Sequence, residues 1–215
     1  MVPGPRALAE SNSMIIKSKY KIARRLGIPV FEKTQTQKFA LSLTRRGDVR
    51  KRPRALTDYG KQLLEKQRVR YTYLILERQL KKYVRHVLSK KGIQQDEKLY
   101  EMLETRLDNA AYRLGFGPTR LAVKQMTSHG HLCVNGTLVD IPSYSLNVGD
   151  TISIREASLK KALFTGIDER LKESSAPAWL KLDNTRRQGT VVGVPKLERG
   201  VTGLDFKMVL EFYKR

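Results

Sequence analysis

The stretch HGHLCVNG, residues 129–136, holds three side chains able to ligate a metal: His129, His131 and Cys133. Spaced two apart, they would project from one face of an extended strand, and imidazole with thiolate is a donor set that zinc accepts. Zinc takes four ligands, however, or three and a water. Gly130 stops the preceding helix, which removes His129 from a shared strand face and leaves two donors. His86, the remaining histidine, falls in a different helical segment. The same eight residues are accounted for as a helix end, a strand and a tight turn at Asn135-Gly136, residue types that tolerate positive φ. No metal or cofactor is assigned. His129, His131 and Asn135 are read instead as donors to phosphate or hydroxyl groups of a bound partner, and Cys133 as a small buried apolar residue. Partial burial beside the turn is the competing reading for both histidines.

Other reactive pairs have less support. Nothing places Asp108 and Asp140 in a common pocket, and Asp108 sits on an amphipathic segment near Arg106 and Arg113, where an ion pair is the ordinary outcome. GFGPT, residues 115–119, lacks the third glycine, the preceding strand and the Lys-Ser/Thr pair of a nucleotide-binding loop, and reads as a connection between helices. No Ser/His/Asp or Cys/His set has positional support, so catalysis is not expected.

The charge pattern is the stronger signal. Of 215 residues, 42 are Lys or Arg and 21 Asp or Glu, a formal charge of +21 that points to a polyanionic partner. Residues 1–70 hold eighteen of those cations and five of the acids, so most of the field is N-terminal. With a single cysteine the chain makes no internal disulfide, which suits a reducing compartment. No apolar run reaches the roughly 18 residues of a membrane span. MVPGPRALAESNS at the start lacks the apolar centre of a secretory signal, and its poverty in acids leaves an organellar presequence as a second reading.

These residues need elements to position them. Before about Ala55 the pattern is irregular: KYKIARRLG, with Arg24 and Arg25, makes a turn or two of helix ending at Gly27, and Arg45, Arg46, Arg50, Lys51, Arg52 and Arg54 crowd around Gly47 and Pro53 with little to bury. That segment is expected to order on its partner. Thr57 or Asp58 caps a long apolar-periodic run to Gly92, too long for one helix and expected to break in two, with Lys66, Arg68, Arg70, Arg78, Lys81, Lys82 and Arg85 on its other faces as solubilising charge or as phosphate contacts, the first three assigned to RNA. Leu99 to Leu114 trace a single helix stopping at Gly115. A second helix starts after Pro118 with Thr119 as cap; Arg120 and Lys124 share one face of it and form a small positive ridge with Arg113. HLCV and TLVD flank the Asn135-Gly136 turn, a second turn lies at Gly149-Asp150, and Ile152 and Ile154 alternate with polar neighbours as strand residues do. Residues 104–156 thus read as two helices on a small twisted sheet. A helix is expected from Lys160 to Leu171, and KMVLEFY alternates as a closing strand would.

RLDNAAYRLGFGPTRLAVKQMTSHGHLCVNGTLVDIPSYSLNVGDTISIRE resembles the RNA-binding domain of the universal uS4 family, small-subunit ribosomal protein four; LTDYGKQLLEKQRVRYTYLILERQLKKY, PAWLKLD and the terminal EFYKR resemble other parts of that family. The likeness is close along residues 56–156 and loose before Ala55. It implies an α+β chain: a basic N-terminal extension (1–55), a mainly helical domain (56–103), an inserted alpha-L RNA-binding domain with a twisted sheet (104–168), and a C-terminal segment (169–215) returning to the helical domain. It implies a primary binder of small-subunit rRNA acting early in assembly, a contact with ribosomal protein five linked to decoding accuracy, and proximity to mRNA at its entry, in a ribosome of the cytoplasm or of an organelle. Many relatives hold zinc in an N-terminal cysteine cluster; with no cysteine before Cys133, this chain is a zinc-free variant. The rival readings are an RNA-modifying enzyme, since pseudouridine synthases and some tRNA synthetases carry the same small domain, and a basic membrane-surface protein. The first needs a catalytic domain absent outside 104–156, and the second an apolar helix face that the evenly charged helical run lacks.

Overall fold

The computed structural model describes residue 16 and residues 18–49, 55–198 and 203–214, with 46–49 as backbone only. Among these, helices and one five-stranded antiparallel sheet make an α+β fold. Helix α1 (Lys19–Leu26) ends at Gly27, whose φ of +71° suits a residue without Cβ, and the Leu26 carbonyl accepts Arg68 Nε–H at 2.9 Å. Helix α2 (Gln37–Val49) follows a short 3₁₀ turn. The expected short helix ending at Gly27 is thus found, and the irregular reading is corrected over residues 28–49. Ala23, Phe31 and Phe39 are too sparse to show a period, but they bury a common face once Leu74 arrives from a later segment.

Thr57 caps α3 (Asp58–Thr72), its hydroxyl accepting the Gly60 N–H at 3.2 Å. The expected break separates it from α4 (Glu77–Leu88). It falls around Leu74, whose φ of +50° costs a side-chain-bearing residue about 1–3 kcal/mol. Burial of Leu74, and the 2.9 Å bond from Lys124 Nζ to its carbonyl, offset that cost.

The single helix expected over Leu99 to Leu114 is two: α5 (Gln95–Glu104) and α6 (Leu107–Arg113), separated at Arg106, which is extended (φ −66°, ψ 139°). The loop at 142–146 causes the break by pairing with it. Leu146 N–H donates to the Thr105 carbonyl at 2.9 Å, while Leu107 and Asp108 N–H donate to the Tyr144 and Pro142 carbonyls at 2.9 and 3.1 Å. Helix α7 (Arg120–Ser128) starts as expected, with Thr119 Oγ1 accepting the Ala122 N–H at 3.1 Å.

Strands β1 (Leu132–Val134) and β2 (Thr137–Leu138) form the expected hairpin, with Asn135 and Gly136 both at positive φ (51° and 78°). Next come β3 (Thr151–Ile154), α8 (Glu156–Leu159), α9 (Ile167–Glu173), β4 (Leu180–Asp183) and β5 (Gln188–Val191). No continuous helix runs from 160 to 171, because Thr165 is extended and Gly166 is left-handed (φ +71°). The sheet order is β2-β1-β3-β5-β4, so the segment expected to run back to the helical lobe from residue 169 first adds two strands. Helix α10 (Phe206–Lys214) then returns, packing on α3, α4 and α5, and Leu197 and Leu204 pack against the same core.

Helix α10 corrects the strand reading of KMVLEFY. Phe206, Val209, Leu210 and Tyr213 lie at i, i+3, i+4 and i+7 and pack into the helical core, while Met208 and Phe212 supply the misleading alternation. Asp205 Oδ1 accepts the Met208 N–H at 3.1 Å, a helix-start signal present in the sequence.

Two large apolar cores result, one among α3, α4, α5 and α10 and one between α6, α7 and the sheet, beside the small cluster of Ala23, Phe31, Phe39 and Leu74. At the second, Gly189 on β5 lies directly against Leu114, whose Cδ and Cγ atoms occupy the space a Cβ would need. Gly189→Ala is expected to lower stability by about 1–3 kcal/mol, measured by urea unfolding, because a fully buried Leu114 has no room to yield.

Candidate nucleic-acid interface

The structure divides the assigned cations into two groups. One group is turned inward and paired. Lys66 is buried, with Nζ 2.9 Å from Glu77 Oε1; Arg70 lies 3.5 Å from the other Glu77 oxygen; Arg68 pairs with Glu65 besides holding the Leu26 carbonyl. Burial pushes the Glu77 carboxyl up, but Tyr213, Lys66 and Arg70 outweigh it and hold the pKa below the ordinary value. These three cations, expected to face phosphate, are paired within the protein, Lys66 buried and Arg68 and Arg70 half-buried.

The ridge of Arg113, Arg120 and Lys124 is corrected in the same way. Arg113 reaches back to Glu104, with Nη2 at 3.0 Å and Nε at 3.2 Å. Arg120 donates Nε–H to Asn109 Oδ1 at 3.0 Å, its guanidinium 4.3 Å from the Tyr112 ring centre. Lys124 spends a donor on the Leu74 carbonyl, and burial lowers its pKa against an opposing pull from Asp108. All three brace the junction of the lobes, a role that side-chain spacing on one helix could not reveal. Asp108 does make the expected ion pair, but with Arg106 rather than Arg113, through contacts of 2.9 and 2.6 Å.

The HGHLCVNG stretch also resolves by contact. His131 is 7% exposed, its Nδ1 lies 2.9 Å from Ser158 Oγ, and its ring stands edge-on to Phe164. Burial, with Lys161, His129 and Arg155 nearby, lowers its pKa, and Ser158 and Phe164 cover much of the ring that was expected to meet RNA. Asn135 is exposed, but both ends of its amide are engaged: Nδ2 donates to Asp150 Oδ1 at 2.8 Å and Oδ1 accepts the Thr151 N–H at 2.9 Å. Cys133 is half-buried rather than buried, because β1 turns Leu132 and Val134 to the core and Cys133 the other way. Among the described residues no cluster of His, Cys, Asp and Glu is arranged to hold a metal. His129 alone of the two histidines is exposed.

The second group is exposed and unpaired with any described residue: Arg24 and Arg25 on α1, Arg45 on α2, and Lys81, Lys82 and Arg85 on α4. The last three belong to the cations read as either solubilising charge or phosphate contacts, without an assignment to RNA. Their signal was in the sequence, since they lie on the helical face opposite Leu80, Val84 and Val87. The Arg46 side chain and residues Arg50, Lys51, Arg52 and Arg54 lie outside the described residues. An outer surface of unpaired cations can neutralise a polyphosphate backbone.

Residues 15–104 match the family model described as Ribosomal protein S4/S9 N-terminal domain, and residues 105–152 match the S4 domain. The junction between the two matches falls at the Thr105-Arg106 break between α5 and α6. The chain is 37% identical over 203 residues to the small ribosomal subunit protein uS4 of Chloroflexus aurantiacus, covering 91% of this chain and 96% of that protein. It is 40% identical over 199 residues to the protein of that name in Roseiflexus castenholzii, with the same coverage. To that of Chromobacterium violaceum it is 36% identical over 206 residues, covering 93% and 98%. Two adjoining domain matches on a two-core fold, and identity along nearly the whole length, establish that the chain belongs to the uS4 family of small ribosomal subunit proteins.

Proposed function

We propose that the chain is a structural component of the small ribosomal subunit that binds its rRNA directly through the unpaired cations of α1, α2 and α4. One observation carries this reading: the inward Lys and Arg have protein acceptors, whereas the exposed set has none among the described residues. Such a surface draws its affinity from counterion release, and its specificity from the RNA shape that fits the rigid frame. By its family resemblance, the protein acts early in building the subunit, touches ribosomal protein five, lies near the incoming mRNA and contributes to accuracy, in the ribosome of the cytoplasm. The family consists of structural ribosomal proteins, so no reaction is assigned. Among the described residues no helix is long and apolar enough to cross a membrane.

Binding of small-subunit rRNA across a salt series tests the reading. The logarithm of affinity should fall linearly with the logarithm of salt, and Arg24→Ala with Arg25→Ala should reduce that slope by about 0.7–0.9 per charge removed while leaving the melting temperature unchanged. Affinity independent of salt would overturn it.

A further inference from the structure

Helices α4 and α10 leave a groove of about 290 Å³ between them, lined by Lys81, Val84, Arg85, Leu88, Phe212 and Tyr213. Its floor is apolar and aromatic: Val84 and Leu88 belong to the helical core, and the Phe212 and Tyr213 rings stand edge-to-face with centroids 5.3 Å apart. Its rim is cationic. Lys81 and Arg85 lie one helical turn apart and are exposed, and neither has an ion pair with a described residue. Beneath, Lys66 Nζ lies 4.5 Å from the Phe212 ring centre, and the Tyr213 hydroxyl donates to Glu77 at 2.6 Å, so both rings are held in place from within.

We propose that this groove receives one unstacked nucleotide of the bound RNA, with its base against the Phe212 and Tyr213 rings and its phosphate between Lys81 and Arg85. The inference rests on the RNA-binding reading above and adds a defined site to it. The volume falls at the lower limit of small-ligand sites, about 300 Å³, enough for a single base and too small for a folded element. Aromatic rings beside cations are how proteins hold splayed single-stranded bases. The cationic surface continues along α4 through Lys82, so a phosphate chain leaving the groove stays on positive ground. An acidic peptide is the poorer fit, since both walls are helices whose backbone groups are spent internally, leaving its main chain without partners.

The test uses the full chain with two probes. In methyl-detected NMR, adenosine monophosphate should shift the Val84 and Leu88 methyl resonances and ribose 5-phosphate should not. With small-subunit rRNA, Phe212→Leu should weaken binding roughly three- to tenfold at every salt concentration, because stacking carries no counterion release. Lys81→Ala with Arg85→Ala changes only exposed side chains; it should weaken binding roughly tenfold at low salt and reduce the salt slope by about 1.5. Equal shifts from both small molecules, or full affinity in Phe212→Leu, would overturn the base site. An acidic Phe-containing peptide shifting those methyls where the nucleotide does not would overturn it in favour of a protein partner. Tight, salt-sensitive binding by the wild type with both groove variants unchanged overturns the groove alone. Absence of wild-type rRNA binding overturns the function it rests on.

Discussion

Glu104→Gln is expected to lower the stability of the protein by about 3–5 kcal/mol, a third or more of what a domain this size commonly has. Glu104 is fully buried at the end of α5 and carries a charge that four donor contacts satisfy: Tyr73 O–H at 2.7 Å, Asn109 Nδ2 at 2.8 Å, and Arg113 Nη2 and Nε at 3.0 and 3.2 Å. Those donors come from both sides of the α5–α6 break, so the carboxylate fastens α6 to the helical lobe. Glutamine keeps the shape but removes the charge, leaving the half-buried Arg113 without its anion and turning an N–H₂ toward groups that are themselves donors. Burial alone would raise the Glu104 pKa; Arg113, Tyr73 and Asn109 together hold it below its ordinary value of 4.5. Because the folded value is the lower one, the stabilisation is complete above the unfolded value and is lost as pH falls through the folded one. Wild type should therefore lose stability in acid more steeply than Glu104→Gln, and the gap between them should narrow as pH falls below the ordinary value of 4.5. Urea unfolding at a series of pH values measures both effects; equal stability at neutral pH would show that the hub contributes nothing.

Arg106→Met should be about as damaging, again about 3–5 kcal/mol, for a related reason. The guanidinium is 2% exposed, grips both oxygens of Asp108 and donates to the Tyr83 hydroxyl at 2.9 Å. Methionine fills the space but strands the Asp108 carboxylate, whose side chain is only 6% exposed, without a counter-charge. Removing both charges is the informative control: Arg106→Met combined with Asp108→Leu should recover more than half of the loss, since a buried ion pair mainly compensates its own desolvation. Failure of the double variant to recover would mean that the pair is needed for geometry, because Arg106 is also the extended residue that pairs with Ser145.

Both predictions concern charged residues that sequence reading had placed differently or left to an ordinary ion pair, and the reason is physical. Spacing along a helix tells which residues share a face and says nothing of what covers that face. Lys66, Arg113 and Lys124 occupy helical positions that look like those of Lys81 and Arg85; the first three meet Glu77, Glu104 and the Leu74 carbonyl, the last two meet none of the described acids. Likewise the Leu99 to Leu114 run kept its helical period across the Thr105-Arg106 break, because the interruption comes from hydrogen bonds to a loop some forty residues later.

The sequence by itself determined whatever depends on local chemistry or on totals. A helix start at Thr57 or Asp58, Thr119 as a helix cap, Asn135-Gly136 as a two-residue hairpin turn and Gly27 as a helix stop follow from residue types at short range, where backbone sterics and side-chain hydrogen bonds decide, and the net charge, a total, demands a polyanion. Tertiary structure alone decided that Lys66, Arg113 and Lys124 find partners within the protein, that Asp108 pairs with Arg106 and Arg113 with Glu104, and that β4 and β5 extend the sheet. Those outcomes turn on burial against partners distant in the chain, and the cost of leaving a charge or an apolar face uncovered is set by the partner that arrives rather than by the residue's neighbours in sequence.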